Sequence, residues 1–164
     1  MATRFVLTPN SAEFPPTAFP QLTIAGTATR RPVLAYDTTT AETAHWTVAA
    51  PAGLTGTWTG VVSYAMASAT TGGVAFDIAA EAVTAADVLN MGTATSWDTV
   101  NGGNAGTVPG TALYMNQISV TLTNMDSVAA ADLLRFSVAR DVADGADTAT
   151  GDAYVFAIEI RDGA

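Results

Sequence analysis

The chain has 164 residues and a formal net charge of −9. Its only cations are six arginines, so it has no basic patch able to displace counterions from nucleic acid, and an anionic membrane surface is disfavoured on the same grounds. It has no cysteine, which excludes disulfides, zinc–thiolate sites and cysteine nucleophiles.

Residues 1–32 open the chain with Pro9, Pro15, Pro16 and Pro20. Proline fixes φ and removes a backbone donor, so FPPTAFPQ reads as extended chain outside a sheet. Phe5, Phe14 and Phe19 are spaced along it, and exposing three such rings to water is costly. The expectation is an extended arm over 1–32 whose rings are anchors on a partner or on the chain's own domain. Arg30 and Arg31 close the arm, either pairing with acids on a neighbour or keeping its end hydrated. The segment lacks the apolar core of a signal peptide, so the expectation is synthesis in the cytoplasm.

From residue 33 the period is two. Val33–Tyr36 is a short apolar run. Trp46, Val48 and Ala50 share a face, as do Trp58, Val62, Tyr64 and Met66. Val74, Phe76, Ile78, Ala80 and Ala82 oppose Asp77 and Glu81. Ile118, Val120 and Leu122 alternate with Ser119 and Thr121, and Leu134, Phe136 and Val138 with Arg135 and Ser137. Tyr154, Phe156, Ile158 and Ile160 alternate with Glu159 and Arg161. Each run predicts a strand with one buried and one wet face. Only AADVLNM (85–91) suggests a helical turn, and the Gly- and Asn-rich stretch 92–111 reads as a long loop. Many short half-buried strands without intervening helices predict an all-β, antiparallel β-sandwich over 33–164.

Asp141, Asp144, Asp147 and Asp152 crowd one connection. Calcium needs six to eight converging oxygens, and the stretch lacks the order and final Glu of an EF-hand loop. A solvated hairpin is expected there, with Arg140 neutralising one or two of the carboxylates. His45, the sole histidine, has no second soft ligand and no G-x-S-x-G partner, so a strand histidine on a surface or interface is expected. Trp46 and Trp58 fall on apolar faces. Trp97, in the long loop, is the plausible exposed platform for a stacking ligand such as a sugar. The reading contains no catalytic residue, metal or cofactor, and so no enzyme.

PVLAYD followed by Trp46, SATTGGVAFDI, AADLLRFSVARD and GDAYVFAIEIRD together resemble the jelly-roll capsid decoration (cement) proteins of tailed bacteriophages, over about residues 32–162. The resemblance implies a homotrimer on the virion capsid surface. It would bind the major capsid protein and brace the shell against the pressure of packaged DNA. It also allows a receptor- or glycan-binding module of a head fibre or tail appendage, with Trp97 as contact.

Overall fold

A computed structural model describes residues 1–102 and 105–163. Its strands are β1 (Ala2–Leu7), β2 (Gln21–Ala25), β3 (Arg31–Tyr36), β4 (Thr43–Ala49), β5 (Trp58–Met66), β6 (Gly73–Val83), β7 (Ala105–Thr107), β8 (Asn116–Leu122), β9 (Leu133–Arg140) and β10 (Ala153–Asp162). All pairings are antiparallel. One sheet runs β2-β3-β10-β5-β8, with β1 alongside the C-terminal half of β10; the other runs β4-β9-β6-β7. The protein is an all-β, jelly-roll-like sandwich.

The apolar faces read from the sequence meet between the sheets. Trp46, Val62, Tyr64, Met66, Phe76, Ile78, Val120, Leu134, Phe136 and Val138 are buried in a single core. The Phe76 ring receives Tyr36 and Tyr64 edge-on, at 5.7 and 5.9 Å between centroids. β10 departs from strict alternation. A bulge between Val155 and Ala157 inserts a residue and switches the side of the strand that faces inward. Ala153 and Val155 are therefore the core residues of its first half, and Ile158 and Ile160 those of its second. Tyr154 and Phe156, expected inside, stand on the outer face.

The expected arm contains two strands and the start of a third. β1 pairs with β10 from Ala2↔Asp162 to Leu7↔Ile158, and β2 pairs with β3 from Gln21↔Ala35 to Ala25↔Arg31. The boundary at residue 32 thus falls inside β3. Only the proline-rich middle stays out of the sheets, for the reason given by its prolines. It lies along the open edge of β4: Glu13 and His45 exchange backbone hydrogen bonds at 2.8 and 2.9 Å, and Thr43 N–H donates to the Ala18 carbonyl at 2.9 Å. Pro15 and Pro16 then block further pairing, which protects that edge.

Residues 85–91 form turns rather than a helical turn. The long loop also does more than connect. Asp98 N–H and Asn101 bond the backbone of Ala80 and Ile78, so the loop lies beside β6. The outer face of β6 is consequently not wet: Ala75, Ala79 and Glu81 are buried on it.

Candidate binding surfaces

The outer face of the four-stranded sheet carries a polar cluster under the long loop. Alternation places His45 on β4, Arg135 on β9 and Glu81 on β6 side by side, because His45 pairs with Ser137 and Glu81 with Arg135. Glu81 is 1% exposed. It is compensated by Arg135 Nη1, which donates to its Oε2 at 2.6 Å, and by the Ser96 backbone N–H. The loop returns over this pair and sets Trp97 on it. The Arg135 guanidinium carbon lies 4.9 Å from the Trp97 ring centroid, and the His45 ring packs against the indole at 5.1 Å. Trp97 is thus a part-exposed ring in a fixed pose rather than a freely exposed platform. Desolvation, then the neighbouring Arg135 charge, lowers the His45 pKa, so the imidazole is neutral at physiological pH.

The expected partner anchors separate. Phe5 turns inward: it stacks on Trp58 at 6.5 Å and tilts against Phe136 at 6.1 Å, packing on the core. Phe14 and Phe19 do pair with each other, at 5.5 Å, and remain 40% and 41% exposed. Arg30 and Arg31 are exposed at the β2–β3 turn. Arg31 walls a shallow cleft of about 560 Å³ on the outer face of the larger sheet, whose other walls include Ser63, Leu113, Met115 and Phe156. Sequence reasoning missed this cleft because Phe156 reaches it only through the bulge in β10.

The four aspartates do not converge. Asp147 turns inward and grips Arg140 in a two-pronged ion pair at 2.7 and 2.9 Å, while also accepting the Ala75 N–H. Arg140 is fully buried, and its Nη1 and Nη2 also donate to the Gly151 and Ala149 carbonyls. Asp141 and Asp144 cap their own turns by accepting from Ala143 and Ala146. Asp152 lies at a separate acidic pocket with Asp37 and Glu42. Among the described residues, no three His, Asp or Glu side chains are placed to hold a metal ion. Burial, reinforced by Asp141 and Asp144, pushes the Asp77 carboxyl up to about 6.

No protein-family model matches the sequence, and no curated protein matches it. Solved structures do. CBM35 from Cellvibrio japonicus Abf62 superposes with a TM-score of 0.50 at 8% identity, covering 98% of this chain and 94% of that one. A non-crystalline cellulose specific carbohydrate-binding module, CBM28, gives 0.46 at 8% identity, covering 93% and 85%. The likeness is one of fold.

Proposed function

We propose that the protein is a non-catalytic binding module that presents Trp97 to a glycan. The observation that carries this reading is the mounting of the ring: part-exposed, with the Arg135 guanidinium over its face and the His45 ring tilted against it, and fixed through a buried Glu81. A sugar binds through its apolar C–H face on an aromatic ring and through hydroxyls on charged or amide groups, and rigid mounting lowers the entropy cost of binding. Both kinds of partner stand here within one side chain's reach. The fold likeness to a carbohydrate-binding module supports the same reading.

Replacing the anchoring ring should remove most of the affinity. Trp97→Ala is expected to cost about 2 kcal/mol of binding, roughly thirtyfold. The check is a glycan array followed by calorimetry on the best ligand, with near-UV circular dichroism confirming an unchanged core. An array with no wild-type ligand, or equal binding by the variant, sinks the reading.

A second reading is decoration of a phage shell through protein contacts, and the Phe14–Phe19 pair favours it. Two paired rings, each about 40% exposed on one surface segment, are typical of an interface anchor. In that case Phe14→Ser with Phe19→Ser should weaken co-sedimentation with purified capsids at least about tenfold, a loss of ~1.4 kcal/mol or more. Unchanged decoration by the double variant would remove the role given to these rings.

A further inference from the structure

The larger sheet ends on β2, whose outer edge has no strand beside it among the described residues. Natural edge strands are blunted by charges, proline, bulges or a covering segment. β2 has none of these: QLTIA is uncharged and unbroken, and it pairs with β3 in unbroken register. By contrast, the β4 edge is covered by residues 13–18. Leu22 and Ile24 lie on the side of the sheet that faces the core, opposite Leu34 and Pro32, yet they are 51% and 46% exposed. The second sheet therefore does not reach over them.

Charge is divided between the two ends of this strand. Four of the six arginines are consumed inside the fold, Arg4 by Asp162, Arg135 by Glu81, Arg140 by Asp147 and Arg161 by Glu159. Arg30 and Arg31 make no ion pair among the described residues, and Arg31 sits opposite Ala25 at one end of β2. At the other end, Gln21 borders a pocket lined by Asp37, Glu42 and Asp152. No cation lines that pocket. Burial and its two acidic neighbours raise the Glu42 pKa, although Glu42 accepts the Asp37 N–H at 2.7 Å.

We propose that β2 pairs edge to edge with β2 of a second copy, antiparallel about a two-fold axis through Thr23. This arrangement is independent of what the Trp97 face binds. The axis sets Gln21 of each copy opposite Ala25 of the other, so each Arg30–Arg31 pair meets an Asp37–Glu42–Asp152 pocket, twice by symmetry. Arg31, Ala25, Gln21 and Ala35 share the outer face of the sheet, so the opposed charges lie on one side. The two β3 strands come about 14 Å apart, three strand spacings. An arginine and a carboxylate reaching toward each other narrow that gap to a direct or water-bridged contact. On the opposite side, Leu22 of one copy lies across from Ile24 of the next and both lose water contact. The other copy is the fitting occupant because an uncharged strand flanked by opposite charges is complementary to its own inverse.

The chain has no native cysteine, so Thr23→Cys is a direct probe of the axis. Under mild oxidation it should cross-link to a covalent dimer in high yield, whereas Thr121→Cys on β8 should not. Sedimentation equilibrium of the unmodified chain should show a dimer. Leu22→Lys with Ile24→Lys, both at exposed positions, should render it monomeric with an unchanged melting temperature, and Arg31→Glu should weaken it roughly tenfold. A monomer at several hundred micromolar overturns the proposal. So does a trimer, which an isologous contact cannot close, a dimer indifferent to the lysines, or cross-linking no better at Thr23 than at Thr121.

Discussion

Asp147→Ala is expected to destabilise the protein by about 3–5 kcal/mol, because it leaves a buried guanidinium without its counter-charge. Arg140 is fully buried and Asp147 is 2% exposed, so water cannot replace the lost carboxylate. The Ala75 N–H loses its acceptor in the same step. For a chain of this size the melting temperature should fall by roughly 10 °C. Asp144→Ala is the matched control, since its carboxylate only caps a turn at the Ala146 N–H and should cost about 1 kcal/mol or less. Urea titration of both variants measures the difference, and equal midpoints would show that the Arg140–Asp147 pair is not the clamp of this loop. Because the pair joins the end of β9 to the connection into β10, its loss should also raise hydrogen exchange across residues 141–152.

Deleting residues 1–20 should abolish folding rather than trim an appendage. β1 covers half of one edge of β10, and without it those backbone groups face solvent. Leu7 is 2% exposed, and truncating a side chain buried to that degree costs about 2–5 kcal/mol by itself. Phe5 leaves the Trp58 and Phe136 rings, and Trp46 Nε1 loses the Thr8 carbonyl it donates to at 2.9 Å. Asp162 loses Arg4, which lowers its pKa by a direct hydrogen bond. Together these losses approach the ~5–15 kcal/mol that holds a domain of this kind together. Circular dichroism and limited proteolysis of the shortened chain decide the matter. A folded, protease-resistant product would mean that β1 is dispensable.

Of the strands from β3 onward, all but the short β7 were legible, β3 as an apolar run and the others by an alternation of apolar and polar residues. Arg140 was legible too, in principle: Leu134, Phe136 and Val138 set a parity that Arg140 continues, so the alternation itself aims it inward. What the alternation does not show is which of the four aspartates follows it inside, and that is Asp147. β1 and β2 were hidden by the prolines between them. A proline excludes only its own position from a ladder, and strands of five or six residues on either side pair freely. Trp97 is legible as a loop ring, but the residues beneath it, His45, Glu81 and Arg135, come from three strands far apart in the chain.

The sequence alone determined the fold class, the inward faces of most of the strands and the absence of thiol chemistry. Each of these follows from residue type and a period of two, both local properties. Only the tertiary structure decided which side of β10 faces inward past its bulge and what covers β6. It alone also placed Phe5 in the core and Phe14 outside, and set an acidic pocket and an arginine pair at opposite ends of β2. Those outcomes depend on which strands become neighbours, and strand pairing joins residues whose separation along the chain carries no trace in local pattern.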